Sequence, residues 1–157
     1  MLNSNYISLL ILAPVVPMIV SDFYRRRVAL AWLVAFTVLN VTITIILYDF
    51  NIFITNVLFN IAVLAYMACG VLLYIYIKHK KVSTIKHYVG MGDVVFLFAL
   101  TPIFEFYTFL YFLIGSCIAA LVWWGINYLI NKKNRTIPFV GVLGCVLSGY
   151  IIINAFK

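Results

Sequence analysis

The chain carries little charge and very little acid. Lys, Arg, Asp and Glu make up 10% of its 157 residues, and only four residues are acidic. Hydrophobic residues make up 66%, whereas a soluble domain is about half apolar and about a quarter charged. This composition excludes a soluble globular protein and predicts an all-α protein that crosses a membrane several times.

The chain also lacks the residue patterns of a metal site, a redox site or a disulfide framework. Its three cysteines, Cys69, Cys117 and Cys145, each fall inside a hydrophobic run, and no C-x-x-C pair occurs. We therefore expect free thiols buried among helices. His79 and His87 lie among lysines in a loop, where we expect them to be solvated. No metal ion or other cofactor is predicted.

The apolar runs predict a bundle of about six transmembrane helices, because about 20 apolar residues are needed to cross the hydrocarbon core. Residues 1–157 then form a single transmembrane domain. The first run lacks the positively charged start of a secretory signal, so we expect it to be retained as a span. The fourth run is short, at about 20 Å of helix. The predicted spans are residues 5–21, 28–48, 52–77, 92–104, 106–130 and 138–156.

The formal net charge of +7 is by itself compatible with nucleic-acid binding, but the positions of the charges favour a topological role. Ten of the eleven basic residues lie in the loops after the first, third and fifth spans. Under the positive-inside rule these loops face the cytoplasm, so both termini are expected outside, and no nucleic-acid partner is predicted. The three basic clusters are Arg25, Arg26 and Arg27; Lys78, Lys80, Lys81 and Lys86; and Lys132, Lys133 and Arg135.

Two aspartates are predicted to lie at the same depth. Asp22 closes the first span and Asp93 opens the fourth, so both fall at the cytoplasmic membrane boundary although 71 residues separate them. An ionisable group in a membrane segment is costly and is a functional candidate by default. Structural roles remain as alternatives. Asp93 could be stabilised by the dipole of its own helix, and Asp22 could pair with one of Arg25–Arg27.

Two glycines precede the second aspartate in the segment Gly90-Met91-Gly92-Asp93. They permit a positive φ or the close approach of another chain, such as an extended peptide. Two neighbouring carboxyls do not both ionise readily, so a pair can hold one proton between them. One member then activates a water, while the other donates a proton to the scissile carbonyl oxygen or the leaving amine. The pattern predicts aspartyl proteolysis, which needs no other nucleophile, metal or phosphate loop.

Three segments resemble one known family. SDFYRRRV at residues 21–28 is similar to an aspartate followed by a basic stretch and an aliphatic residue, and GMGDV at residues 90–94 fits a G-x-G-D motif. TIPFVGVLG at residues 136–144 resembles a late I-P-F segment. Together, in this order, they resemble the prepilin peptidases, which are intramembrane aspartyl proteases that remove leader peptides from type IV pilin-like precursors. The resemblance extends over most of the chain.

The resemblance implies a function, a location and a set of site residues. Asp22 and Asp93 would be the catalytic pair, with Gly90 and Gly92 giving room for the substrate backbone. Ile137, Pro138 and Phe139 would shape the start of a helix nearby, although a proline at a helix start needs no further role. The substrate would be a pilin or pseudopilin precursor. The protein would lie among the lipids of the bacterial inner membrane, with its active site facing the cytoplasm.

The chain departs from the family pattern in three respects. Ala29 stands where the family usually has proline, and Val95 stands where it usually has lysine. The family's larger, bifunctional members also carry a cytoplasmic insert with paired C-x-x-C motifs and methylate the new N-terminus. This chain has no such insert, so we expect peptidase activity without methyltransferase activity.

Two other functions are compatible with the sequence. Proteases of the presenilin or signal-peptide-peptidase type share the G-x-G-D motif, but they have more spans and a tyrosine before the first aspartate, whereas Ser21 precedes Asp22 here. The second possibility is a non-enzymatic protein, either a small membrane transporter or a secretion or pilus assembly subunit. Its aspartates would bind protons or pair with arginines inside the bundle.

Overall fold

The computed structural model describes residues 8–79, 90–130 and 137–156, which fold into six α-helices preceded by a 3-10 turn at Ser8–Ile11. The all-α prediction is confirmed for these residues. The start of the first predicted span and most of the basic residues in the second and third clusters, together with His87, lie outside the described part. The helices are α1 Leu12–Arg25, α2 Leu30–Leu47, α3 Phe50–His79, α4 Met91–Leu100, α5 Phe106–Ile130 and α6 Phe139–Ala155.

Three of the helices, α2, α3 and α5, are long and apolar enough to cross a membrane. Their ends lie within two residues of the second, third and fifth predicted spans. The prediction of a membrane protein is confirmed at this level. The other three helices are shorter, with 14 residues in α1, 10 in α4 and 17 in α6.

The first helix runs about one turn further than the sequence predicts. The predicted span ends at Ser21-Asp22, whereas α1 continues to Arg25. It ends there because Arg26 adopts a left-handed conformation with φ 53°, and its N–H donates to the Asp22 carbonyl at 3.0 Å. The Ser21 hydroxyl donates to the Arg27 carbonyl at 2.6 Å, which fixes the turn towards α2. Asp22 therefore lies inside the last turn of α1.

The helices α1 and α6 pack closely because two glycines of α6 face α1. A Cβ at Gly144 would lie 2.6 Å from the side chain of Ile19, and a Cβ at Gly141 would lie 2.9 Å from the ring of Phe23. Because glycine has no side chain, it allows the backbones of two helices to approach closely. The close approach brings the last turn of α1 beside the first turn of α6.

Aromatic contacts hold the short helix α4 and the turn that follows it. Phe96 of α4 stacks on Phe36 of α2, with ring centroids 5.2 Å apart. Phe104, in the turn after α4, stacks on Phe112 of α5 with ring centroids 4.7 Å apart. All four rings are buried. These contacts with α2 and α5 fix the position of the short helix α4.

The three cysteines are free, as predicted, but the prediction that they are buried is wrong. Cys69 on α3, Cys117 on α5 and Cys145 on α6 are all exposed. The physical reason is that these helices are apolar on their outer faces as well: Leu73 and Ile118, for example, are also exposed. In a helix surrounded by lipid, a hydrophobic run does not tell the inner face from the outer one.

Candidate functional site

The candidate site lies where α1 ends and α4 and α6 begin, which we call the aspartate end of the bundle. Asp22 is buried there, with 7% of its surface exposed. Its Oδ2 accepts a hydrogen bond of 2.7 Å from the backbone N–H of Gly141, 119 residues further along the chain. This bond joins α1 to α6 and fixes the Asp22 carboxyl.

The hydrogen bond from Gly141 completes the start of α6. Pro138 is the N-cap of this helix and Phe139 its first residue, so Gly141 carries one of the backbone N–H groups that have no partner within the helix. Asp22 accepts from that group, and its negative charge is favoured at a helix N-terminus. Of the segment predicted to lie near the site, Pro138 is buried and Ile137 is exposed. The structure thus gives this segment the role of starting the helix that holds Asp22.

Asp93 is held at the start of another helix. It is the third residue of α4, after the N-cap Gly90, and it is half-buried. A Cβ at Gly90 would lie 2.7 Å from Asp93 Oδ2, so the Asp93 carboxyl occupies the space beside Gly90. Among the residues that the structure describes, no neighbouring atom lies within 4 Å of a Cβ placed at Gly92.

The glycines of this segment do not need a left-handed backbone. Gly90 has φ −70° and ψ 128°, and no glycine among the described residues has a positive φ. Of the two reasons the sequence suggests for these glycines, only close approach survives. At Gly90 the approaching group is the carboxyl of Asp93 itself, whereas at Gly92 no group of the described residues approaches.

The structure places the two aspartates within electrostatic range of one another. The Asp22 carboxylate lies close enough to Asp93 to act on it electrostatically, although the two residues are on different helices. Each carboxyl also lies at a helix N-terminus, Asp93 on α4 and Asp22 on α6, where negative charge is stabilised. Repulsion between the two charges opposes this, and a proton bound by either carboxyl removes the repulsion. Two carboxyls in this arrangement could hold a single proton between them.

Two aromatic rings pack against one another near Asp22. The Phe23 ring packs against Gly141 and meets the Trp123 ring of α5 edge to face, with ring centroids 5.1 Å apart. Because α5 continues from Trp123 to Ile130, about 10 Å of helix extends past this contact. Asp22 thus lies level with a part of α5 that is still apolar, inside the length of α5 that could span a membrane.

Sequence reasoning identified Asp22, Asp93, Gly90 and Gly92 but missed the role of Gly141. A signal for Gly141 was present in the sequence, since Gly141 and Gly144 are three residues apart and therefore share one face of a helix. In the part of the chain that the structure describes, no group of three or more His, Cys, Asp or Glu residues could hold a metal ion.

The two positions that depart from the prepilin peptidase pattern both lie near this end of the bundle. Val95 is on the exposed side of α4, two residues after Asp93, and Ala29 is the exposed N-cap of α2. Neither residue carries a group that could replace the carboxyls. No model of a protein family, no curated protein and no solved structure matches this chain. The resemblance stays a prediction that rests on three segments of the sequence.

Proposed function

We propose that this chain is an intramembrane aspartyl endopeptidase that removes the leader peptides of type IV prepilin-like precursors. The observation that carries the proposal is that Asp22 and Asp93, on two different helices, lie within electrostatic range of one another. These residues are two of only four acids in the chain. The order of the segments SDFYRRRV, GMGDV and TIPFVGVLG supports the same assignment.

The proposed mechanism uses one proton and one water. The unprotonated carboxyl takes a proton from the water while the water oxygen bonds to the scissile carbonyl carbon. The protonated carboxyl gives its proton to the carbonyl oxygen. When the tetrahedral intermediate collapses, the C–N bond breaks and the leaving nitrogen takes up the proton removed from the water. A hydroxyl on the former carbonyl carbon returns a proton to the other aspartate, which restores the starting state of the pair. The hydrogen bond from Gly141 would hold Asp22 in place during these steps. The space beside Gly92, which no group of the described residues approaches, would accept the backbone of an extended substrate.

We further propose six membrane crossings, with both termini outside and the aspartate end facing the cytoplasm of a bacterial inner membrane. The exposed arginines Arg25–Arg27 directly after Asp22 support this orientation, since basic residues concentrate on the cytoplasmic side. A pilin or pseudopilin precursor has a short basic leader followed by a hydrophobic helix. Its helix would lie in the lipid, and the junction with the leader would reach the two aspartates from the cytoplasmic side.

Coexpression with a prepilin-like precursor tests the proposal. We expect the wild-type chain to convert the precursor to a shorter product on a gel. Asp22→Asn and Asp93→Asn should each lower cleavage by about 100-fold or more, because each removes one partner of the proton transfer. Both variants should accumulate in the membrane as the wild type does.

The other two acids provide matched controls. Asp49→Asn and Glu105→Gln remove the same charge from exposed positions away from the pair, and both should process the precursor fully. Full processing by either Asp22→Asn or Asp93→Asn would rule out the catalytic pair.

A non-enzymatic role is the second candidate, and one contact favours it. The bond between Asp22 and Gly141 already gives Asp22 a structural task, as expected in a small transporter or an assembly subunit. In that case the wild-type chain would leave pilin and pseudopilin precursors uncut, and the aspartate variants would impair transport or assembly instead.

A further inference from the structure

The helix α4 ends in a buried part of the bundle, since 4% of the surface of Ala99 and 0% of that of Leu100 are exposed. The turn after it, residues 101–105, contains the buried residues Thr101, Pro102 and Phe104. The last carbonyl groups of a helix have no partner within that helix. At membrane depth such groups must be satisfied by protein, since lipid offers no hydrogen bonds.

Two asparagines from other helices donate to one carbonyl in the last turn of α4 and to two in the turn that follows it. Asn40 of α2 donates from Nδ2 to the Ala99 carbonyl at 3.2 Å. Asn60 of α3 donates from Nδ2 to the carbonyls of Thr101 at 2.9 Å and Phe104 at 2.7 Å. Both asparagines are fully buried, with 0% of their surface exposed.

Both asparagines are placed at an energetic cost. Among the described residues, the Oδ1 atoms of Asn40 and Asn60 are buried without a hydrogen-bond partner. A leucine of similar size at either position would avoid that cost and would suit the apolar helices α2 and α3 better. In return, the Nδ2 donors of these two residues hold the end of α4 and the turn after it.

We propose that Asn40 and Asn60 are positioning residues that set the height of α4 and thereby hold Asp93 opposite Asp22. The role in catalysis rests on the proposed function, whereas the role in holding α4 does not. Asp93 is the third residue of this ten-residue helix, so a shift at the Leu100 end is transmitted directly to the carboxyl. A slip of one residue would move Asp93 by about 1.5 Å along the helix axis.

The anchor is tested by measuring a distance with and without its hydrogen bonds. Nitroxide labels on cysteines introduced at the exposed positions Tyr24 and Met91 report on the ends of α1 and α4, after the three native cysteines have been replaced by serine. In Asn60→Leu, the distance between the labels should shift by about 1.5 Å or more and its distribution should broaden. Asn60→Gln, which keeps the amide donors, should restore part of the narrow distribution.

Asn127→Leu is the matched control. Asn127 also donates from Nδ2 to a backbone carbonyl, but the carbonyl belongs to Trp123 of its own helix α5. This variant loses one amide–carbonyl bond without changing the support of α4. Its label distance should equal that of the wild type.

Kinetics separates positioning from general loss of structure. A displacement of about 1 Å at a reacting group can cost about 100-fold in rate. We therefore expect Asn60→Leu to lower kcat by about 10-fold or more while KM stays within about twofold, because α4 moves and the substrate helix still binds. Asn60→Gln should recover part of kcat.

Each outcome decides the proposal. An unchanged label distance in folded Asn60→Leu overturns the anchor, whatever the activity. If Asn60→Leu does not fold, the same distance is measured in Asn40→Leu. This variant loses one bond and keeps the two from Asn60, so we expect a smaller shift in the label distance. An unchanged distance in Asn40→Leu would then overturn the anchor. A shifted distance combined with full cleavage by Asp93→Asn would instead keep the anchor and reject the proposed proteolysis.

Discussion

At the scale of single residues, Asp22 has two separable tasks. Its carboxyl accepts the Gly141 N–H and so completes the start of α6. In the proposed function it also shares a proton with Asp93, which lies within its electrostatic range. The first task needs only an acceptor oxygen, whereas the proposed chemistry needs a group that gains and loses a proton. Substitutions that differ in these two properties can tell the tasks apart.

Asp22→Asn and Asp22→Ala should therefore behave differently. Asparagine keeps an oxygen for the Gly141 N–H, so we expect near wild-type thermal stability in detergent without cleavage. Alanine leaves that N–H unpaired, which should cost about 1 kcal/mol, as the loss of a helix cap does, and lower Tm by about 2–4 °C. Equal Tm values for the two variants would contradict the capping role of Asp22.

Individual residues also mark the limit of what the sequence predicts. Asp22 and Asp93 are evident because acids are rare in this chain and costly in a membrane. Asn40 and Asn60 carry a weaker signal of the same kind, as amides inside apolar runs, but their partners are backbone carbonyls 41 to 59 residues away. No residue type identifies a backbone carbonyl, so these contacts could not be read from the sequence.

At the scale of helices, the close packing of α1 on α6 positions the first aspartate. Gly141 faces Phe23 and also lies beside Asp22, since a Cβ placed at Gly141 would be 3.4 Å from Asp22 Oδ2. Gly149 lies on the same helix, and a Cβ there would have no neighbouring atom of the described residues within 4 Å. The two glycines form a matched pair for testing this contact.

Gly141→Ala should destabilise the protein and impair cleavage, whereas Gly149→Ala should do neither. The new methyl group at residue 141 would force the Phe23 ring or the backbone to move, at a cost of about 1–3 kcal/mol. At residue 149, alanine favours the helix by up to about 1 kcal/mol. Thermal unfolding in detergent and precursor cleavage measure both effects. A Gly141→Ala variant as stable and active as Gly149→Ala would contradict the close packing.

The lengths of the helices could be predicted to different degrees. Hydropathy gives α2, α3 and α5 to within two residues because long apolar runs bounded by polar residues leave little choice. It misses the last turn of α1, which depends on Arg26 adopting a left-handed conformation. It cannot assign the inner faces, because both faces of these helices are apolar, and for this reason the sequence wrongly predicts buried cysteines.

At the scale of the whole molecule, the alternation of helices defines two ends. Asp22, Asp93 and Arg25–Arg27 belong to the aspartate end, and the connection between α2 and α3 at Asp49 belongs to the opposite end. In the proposed orientation, which follows the positive-inside rule, the aspartate end faces the cytoplasm. This orientation decides from which side a leader peptide would reach the site.

Labelling of single cysteines tests the orientation. In a background without native cysteines, Asp49→Cys should react with a membrane-impermeant maleimide in intact cells, because residue 49 is exposed at the end that the proposed orientation places outside. Arg27→Cys, exposed at the aspartate end, should react only after permeabilisation. The reverse pattern would place the site outside and contradict cleavage at the cytoplasmic face.

The central claim is that Asp22 and Asp93 form one site, and cross-linking tests it most directly. In the cysteine-free background, a chain with both Asp22→Cys and Asp93→Cys is treated with the shortest bis-methanethiosulfonate reagent, and a chain with Asp22→Cys and Asp49→Cys serves as the control. We predict an intramolecular cross-link in the first pair and none in the second. If the first pair stays unlinked although each cysteine reacts singly with the reagent, the two aspartates do not share a site.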